Sequence, residues 1–460
     1  MPTVHYLNGL CGSGKTEAAN DKAAKHIALG ERICIAAPST ALLTDIRDRF
    51  RAAYPQHSAN VHLITHETHK SDVCRSIEEH TRINRQAQLL LITHQALMGV
   101  ARWHDAKQWT LIVDEEMDLL HDLTLISTFG SAKTFWLRYF ADYINVRDGQ
   151  LTFKADLSQP SLTASVVESG FQDVVENLNK HLASPNFRVN IDPKQWNEYV
   201  GEGREKLDIW AQFNADIFAQ FRSVTLMGAR IEHGFMMAYL RMAGFTAKSA
   251  TMKTRFNGHN QFVTTKWGFD RKYWSRTFYI KKHHLKPVMH HWMDAVRRDI
   301  GTQNILVQSN AAQPWPTDMR NKIELPFKSE GLNKYTETHH YAEAGAYNWS
   351  PDFTNRLKAL GFDTDDIQLH RAVNHAYQGA MRTSLRLGQD NDSVIYVPTK
   401  AMAEMLRSLY FPNATVERVT GCEDVATRQP MAPRSKAPKT AAERMREMRR
   451  RKALLRKQAA

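Results

Sequence analysis

Apolar and polar positions alternate along the first 120 residues in two different periods. Short apolar runs predict buried β-strands, and the longer amphipathic stretches between them predict helices. The predicted strands are residues 3–7, 32–36, 61–65, 88–93 and 110–113, and the predicted helices are residues 15–29 and 41–51. Strands and helices that alternate in this way are typical of βαβ units, so we expect a parallel sheet.

This alternation stops after Leu120 and returns near residue 223. The intervening residues 122–215 have a mixed pattern with several turn signals, and we expect them to form a mainly helical insertion. Later in the chain the pattern predicts a second α/β block. The first block is completed by a strand at 223–227 and a helix at about 232–242. The second block contains predicted strands at 304–308 and 393–397.

The predicted fold class is therefore α/β, with two domains that each contain a parallel sheet. Residues 1–121, completed by 216–250, form the first domain, and residues 251–428 form the second. Residues 122–215 are inserted in the first domain, and residues 429–460 form a basic tail in which three prolines mark a linker.

Composition excludes several classes of protein. The chain has 460 residues, which is too long for one hydrophobic core. No apolar run reaches the ~18 residues that a membrane span needs, and the N-terminus lacks the pattern of a signal peptide. The four cysteines include no CxxC pair, which argues against a disulfide scaffold or a zinc ribbon. We expect a cytoplasmic protein without a membrane segment.

The positive charge is concentrated in the tail. The net charge is +13, and the residues from Arg434 onward contain eleven Lys/Arg and two Glu, a net charge of +9. The rest of the chain therefore carries only +4. A polyanionic partner is expected for such a tail, while a solvated arm or a protein-docking arm are the alternatives.

Residues 9–16, GLCGSGKT, form a complete G-x4-GK[ST] P-loop between a predicted strand and a predicted helix. Backbone N–H groups of such a loop bind phosphates, Lys15 would reach the β- and γ-phosphates, and Thr16 would hold Mg²⁺. The predicted nucleotide-binding residues are Gly9, Gly12, Ser13, Gly14, Lys15, Thr16 and Asp114.

The segment LIVDEE at residues 111–116 supplies the complementary carboxylates. An apolar strand that ends in Asp-Glu places both at the carboxyl edge of a parallel sheet, beside the P-loop. Asp114 would bind Mg²⁺, and Glu115 would act as the general base toward the attacking water. The two segments together predict ATP hydrolysis.

The order of these and further motifs resembles superfamily 2 helicases of the DEAD/DEAH type, most closely the compact kind carried by phages. Residues 36–40 (AAPST) are similar to motif Ia, and residues 92–97 (ITHQAL) are similar to the Thr-His-Gln segment before motif II. Residues 224–229 (VTLMGA) resemble motif III, and residues 331–333 (GLN) lie where motif V is expected. Met117 stands where the family has Asp or His.

Residues 378–386, QGAMRTSLR, resemble motif VI, which in this family carries arginines of the second domain to the γ-phosphate held by the first. The resemblance implies catalytic roles for Gln378, Arg382 and Arg386. Arginine at this place contributes a factor of about 10³–10⁵ in rate. Because the two arginines are four residues apart, a helix would present both on one face.

The resemblance implies two RecA-like domains with ATP and Mg²⁺ between them. It also implies a nucleic-acid-stimulated ATPase that translocates on or unwinds its substrate, with DNA favoured over RNA and a role in phage replication or recombination. A partner protein from those processes could bind the tail. The alternatives are a packaging-motor ATPase, which would need an acidic nuclease cluster such as Asp363, Asp365 and Asp366, and a nucleotide-binding regulator, which would not need Arg382 and Arg386.

One further segment supports two interpretations. Between residues 267 and 282, aromatic and basic residues interleave in a way that suits stacking on bases along a phosphate backbone. The same composition is equally typical of an aromatic core edge covered by the stems of basic side chains.

Deletion of residues 431–460 should weaken nucleic-acid binding and flatten its salt dependence, while basal ATP hydrolysis is unchanged. Each phosphate contact contributes about 0.7–0.9 to the slope of log affinity against log salt, so the loss of four contacts lowers the slope by roughly three. Fluorescence anisotropy of a labelled single strand measures this. Equal slopes would assign the tail to a protein partner instead.

Overall fold

The computed structural model describes residues 1–70, 72–126, 130–154, 172–201, 206–256, 258–280, 282–283, 286–310, 314–325, 335–388 and 392–423. The predicted tail lies outside these ranges, as do residues 331–333. Within the described residues, none of the helices is both long and apolar enough to cross a membrane.

The chain begins with strands that alternate with helices. The strands are β1 (Thr3–Asn8), β2 (Arg32–Ala37), β3 (Val61–Leu63), β4 (Gln88–Thr93) and β5 (Trp109–Asp114). The helices are α1 (Lys15–Ala28), α2 (Thr40–Ala53), α3 (Val73–Ile83) and α4 (His94–Gly99). Every predicted strand and helix of this region is confirmed, with bounds that differ by at most two residues.

The inserted segment contains its predicted helices together with an antiparallel sheet that the sequence analysis did not predict. Its strands are β6 (Leu120–Asp122), β7 (Leu125–Ile126), β8 (Ile144–Arg147), β9 (Gln150–Phe153), β10 (Phe187–Ile191), β11 (Lys206–Leu207) and β12 (Ile209–Phe213). Its described helices are α5 (Gly130–Tyr143), α6 (Gln172–Ala183) and α7 (Pro193–Val200). Five strands form an antiparallel sheet in the order β6-β12-β10-β9-β8. The overlooked signal is the period of two in β12, where Ile209, Ala211 and Phe213 are fully buried and alternate with less buried residues.

The chain then returns to the first sheet through α8 (Asp216–Gln220), β13 (Ser223–Gly228), α9 (Phe235–Met242) and β14 (Thr246–Ser249). The completed sheet has the order β14-β1-β13-β5-β2-β4-β3, and all its pairs are parallel. Alternate residues of β2 and β4 enter separate cores on the two faces, so these strands read as continuous apolar runs.

The second domain is built on another parallel sheet. Its strands are β15 (Val263–Phe269), β16 (Lys282–His283), β17 (Lys286–Pro287), β18 (Ile305–Gln308), β19 (Lys322–Glu324), β20 (His340–Glu343), β21 (Ser393–Thr399) and β22 (Thr415–Arg418). Its helices are α10 (Arg276–Tyr279), α11 (Val288–Ile300), α12 (Pro351–Ala359), α13 (Thr364–Ala380) and α14 (Lys400–Leu409). The six-stranded sheet has the order β19-β18-β20-β21-β15-β22, while β16 and β17 form a separate antiparallel pair. The predicted α/β fold with two parallel sheets is confirmed.

The interleaved aromatic segment is mainly part of the core of the second domain. Trp274, Phe278 and Tyr279 are buried in one hydrophobic cluster with Trp292 of α11. Arg271 lies over the ring of Phe278, with 3.9 Å from the guanidinium carbon to the ring centre. The core interpretation of these three aromatic residues is therefore correct.

Contacts outside the sheets join the two domains and the insertion. Phe353 and Leu357 of α12 pack in the same hydrophobic cluster as Phe235 of α9. Arg356 of α12 lies over Trp210 of β12, with 4.2 Å from the guanidinium carbon to the ring centre. The insertion therefore contacts the second domain as well as the first.

Replacement of Gly379 by Ala should destabilise the second domain. A methyl group at this position of α13 would overlap the ring of Tyr341, which is fully buried with its hydroxyl 2.8 Å from Glu343 Oε2. We expect the free energy of unfolding to fall by about 1–3 kcal/mol, as for other overpacked cores, and urea denaturation measures it. Gly258→Ala is the matched control, because no atom of the described part of the chain lies within 4 Å of its added methyl group. Identical urea midpoints for the two variants would contradict the predicted overlap.

Candidate nucleotide-binding and hydrolysis site

The P-loop connects the carboxyl end of β1 to the first residue of α1. Gly12 and Gly14 have φ values of 77° and 86°, in the left-handed region that favours glycine. A side chain at Gly9 would overlap the stem of Lys15, whose Nζ donates to Gly9 O at 2.8 Å. The glycines thus allow the loop to fold back on Lys15, and the predicted P-loop geometry is present.

Lys15 is buried and paired with a carboxylate. Its Nζ lies 3.3 Å from Glu115 Oε1. Burial lowers the pKa of Lys15, but the Glu115 and Asp114 carboxylates outweigh that effect and raise the pKa above its usual value. Lys15 therefore remains a cation at neutral pH, as phosphate binding requires.

Asp114 and Glu115 lie where the sequence places them, at the end of β5. Strand β13 lies between β1 and β5 and fixes the distance between the carboxylates and the P-loop. Glu115 has a φ of 69°, which is strained for a residue with a side chain, and its N–H donates to Met227 O of β13 at 2.7 Å. This backbone turn directs the carboxylate of Glu115 toward Lys15.

Asp114 and Thr16 fit a magnesium ion. Asp114 is buried, and its Oδ1 atom has no hydrogen-bond partner among the residues that the structure describes. Burial, followed by the neighbouring carboxylate of Glu115, raises the pKa of Asp114. Asp114 and Thr16 line the same cavity, which has a volume of about 570 Å³. Mg²⁺ takes oxygen ligands and commonly binds through one or two protein groups together with substrate phosphates, so the set is suitable.

The second domain completes this cavity. Gln378 Nε2 lies 3.3 Å from Glu115 Oε2, and Arg382 and Arg386 line the same space as Lys15. The prediction that one helix presents both arginines is wrong. Helix α13 ends at Ala380, so Arg382 lies in the following turn and Arg386 in a 3-10 helix at Ser384–Leu387. The Arg386 carbonyl would be 3.4 Å from a methyl group at Gly12, so this segment packs directly on the P-loop.

Two groups of contacts near the P-loop have no clear sequence signal, and the first is centred on the Tyr377 hydroxyl. The Cys11 N–H donates to the Tyr377 hydroxyl at 2.8 Å, and His259 Nε2 lies 2.7 Å from that hydroxyl. Tyr377 and Cys11 are 366 positions apart, so no local pattern could identify the pair. The contact holds α13 against the P-loop.

Glu116 forms the other contact that sequence analysis missed. Its Oε1 accepts from Met236 N–H at 2.5 Å, in the first turn of α9. Burial raises the pKa of Glu116 to about 7. Met117, the residue that departs from the family pattern, is instead buried in the hydrophobic core. Glu116 therefore joins the end of β5 to the helix that follows β13.

The other motif-like segments have structural roles at the sheet edge. Ser39 caps α2 by accepting from Leu42 N–H, and Thr93 caps α4 by accepting from Ala96 N–H. His94 is buried next to these caps, and burial lowers its pKa to about 4. Residues 331–333, the predicted motif V, lie outside the described residues.

Comparison with known proteins finds a family similarity in the first part of the chain. Residues 6–133 match the DEAD/DEAH box helicase family model, so this segment is similar to that family. No curated protein matches the chain.

Three similar solved structures have low sequence identity to this chain. S. cerevisiae Dbp5 bound to RNA and ADP BeF3 has 10% identity over 92% of this chain and 87% of its own, with a TM-score of 0.38. Mss116p bound to ssRNA and AMP-PNP has 10% identity over 91% and 71%, with a TM-score of 0.34. A hypothetical ATP-dependent RNA helicase from Sulfolobus tokodaii has 12% identity over 88% and 90%, with a TM-score of 0.25. All three TM-scores are below 0.5.

Replacement of Glu115 by Gln should stop ATP turnover while ATP still binds. The amide keeps the size of the side chain but cannot accept a proton from water, so a rate loss of about 10²–10⁴ is expected. Single-turnover hydrolysis measures the rate, and a fluorescent ATP analogue measures binding. Hydrolysis at the wild-type rate would show that Glu115 is not the base.

Proposed function

We propose that this chain is an ATP hydrolase of the helicase type, which couples ATP hydrolysis to movement along a nucleic acid. The observation that carries the proposal is that both domains line one cavity of about 570 Å³. Lys15, Thr16 and Asp114 come from the first domain, and Arg382 and Arg386 come from the second. Release of a phosphate from this cavity removes negative charge that cationic side chains of both domains contact. The electrostatic interaction between the domains therefore changes.

The contacts of Glu115 suggest how hydrolysis proceeds. One carboxylate oxygen faces Lys15, and the other faces the Gln378 amide. When Lys15 moves to the β- and γ-phosphates, Glu115 Oε1 becomes free to accept a proton from the attacking water, while Gln378 holds the carboxylate in place. Mg²⁺ bound by Thr16 and Asp114 would neutralise phosphate charge. Arg382 and Arg386 would stabilise the charge that develops on the transferred group.

The two alternative functions have less support from the structure. A packaging motor would need a nuclease site, but the late acidic residues have structural partners. Asp363 caps α13 through Asp365 N–H, Asp365 lies 3.4 Å from Lys358, and Asp366 lies 3.2 Å from Lys272. A simple nucleotide-binding regulator would not need two arginines of a second domain in its phosphate cavity.

We further propose that the nucleic acid is DNA. The sequence resemblance favours DNA over RNA, a role in phage replication or recombination, and action in the cytoplasm. The basic tail supports nucleic-acid binding, and it also offers a docking site for a replication or recombination protein.

ATP hydrolysis measured with single-stranded DNA, single-stranded RNA and duplex DNA tests the proposal. Stimulation by at least one of them is expected, and its absence would contradict the helicase function. Lys15→Ala, which loses the phosphate-binding cation, serves as the inactive control.

Replacement of Arg382 by Ala should lower kcat far more than it weakens ATP binding. Its contact should strengthen as charge develops in the transition state, so we expect a loss of about 10³ or more in kcat. Steady-state hydrolysis and nucleotide titration separate the two effects. An unchanged kcat would favour the regulator function instead.

A further inference from the structure

The linker between the two domains passes directly over the P-loop. It follows β14, which ends at Ser249, and precedes β15, which begins at Val263. The Arg255 N–H donates to Ser13 O at 2.7 Å, and the Arg255 side chain would lie 3.3 Å from a methyl group at Gly14. The linker is thus fixed to the P-loop at Gly14, two residues from the place where Arg386 approaches Gly12.

The guanidinium of Arg255 is held loosely. It is 68% exposed and lies 3.8 Å from Glu17 Oε1, which is also 3.0 Å from Arg49 Nη1. Arg255, Glu17 and Arg49 all line the cavity of about 570 Å³ that contains Lys15 and Arg382. An exposed ion pair of this length contributes little to stability, so Arg255 can exchange its partner at low cost.

We propose that Arg255 binds the α-phosphate of the nucleotide in this cavity, an inference that rests on the proposed function. P-loop backbone groups hold the α- and β-phosphates, and Lys15 reaches the β- and γ-phosphates. Arg255 lies beside Gly14 of that cradle, whereas the motif VI segment packs at Gly12. An arginine fork matches the geometry of phosphate oxygens and forms stronger hydrogen bonds than an exposed ion pair. Nucleotide binding therefore moves Arg255 from Glu17 to phosphate.

This assignment makes Arg255 different from Arg382 in its kinetic effect. ATP and ADP both carry an α-phosphate, so Arg255 binds substrate and product equally. A contact of this kind changes KM and leaves kcat nearly constant. Because Arg255 belongs to the linker, it also holds the linker to the nucleotide after the γ-phosphate is released.

Nucleotide titration of the full chain with Mg²⁺ present tests the assignment. Arg255→Ala should raise the Kd for both ATP and ADP about tenfold, which corresponds to about 1.4 kcal/mol. In steady-state hydrolysis its KM should rise similarly, with kcat within about twofold of wild type. Arg255→Lys should give an intermediate Kd, because it keeps the charge and loses the fork. Lys253→Ala is the matched control, since Lys253 is an exposed cation on the same linker and does not line the cavity.

Glu17→Gln separates a phosphate contact from a purely structural one. If Arg255 exchanges Glu17 for phosphate, removal of the competing carboxylate should tighten ADP binding, and the gain should be smaller in the Arg255→Ala background. Weaker ADP binding by Glu17→Gln would show that the ion pair only supports the linker and would overturn the assignment. Equal Kd values for Arg255→Ala and wild type, or a loss confined to ATP, would overturn it as well. Failure of the wild-type chain to bind either nucleotide would instead contradict the proposed function.

Discussion

The ion pair between Lys15 and Glu115 is the contact on which the candidate site depends. It joins the P-loop to the end of β5 across strand β13, and Gln378 reaches the other oxygen of the same carboxylate from the second domain. The left-handed backbone at Glu115 makes this geometry possible. One carboxylate is therefore shared by a cation of one domain and an amide of the other. A ligand that attracts Lys15 must alter the contact between domains, and this links nucleotide binding to domain arrangement.

Several buried contacts place the second domain close enough to share that carboxylate. Tyr377 binds the P-loop backbone at Cys11 and stacks on Tyr410, with 4.0 Å between ring centres. Arg230 of the first domain donates to Leu409 O at 2.8 Å. These contacts are distributed around the cavity, so the arginines of the second domain are already near the phosphate position. The electrostatic contribution of such groups is largest when they need little rearrangement during the reaction.

Sequence alone predicted the first sheet and the P-loop because both have strong local signals. Buried parallel strands are continuous apolar runs, and residues 9–16 have a fixed spacing that only a phosphate-binding turn requires. The antiparallel sheet of the insertion was missed because its strands are short, with three to five residues each. The helix that was expected to carry both arginines ends too early, since the chain turns after Ala380 to reach the P-loop. Contacts such as Cys11 with Tyr377 depend on tertiary folding and leave no local pattern.

The contact between Arg356 and Trp210 has a mechanical consequence. The two sheet domains are joined by the covalent linker, across the cavity, by the packing of α12 on α9, and again through the insertion. Several joints between two bodies form a closed linkage, which has far fewer degrees of freedom than a single hinge. Opening of the cavity must therefore disturb the packing of α12 on α9, and it must also twist the antiparallel sheet of the insertion or separate Arg356 from Trp210. The insertion would then limit how far the two domains separate.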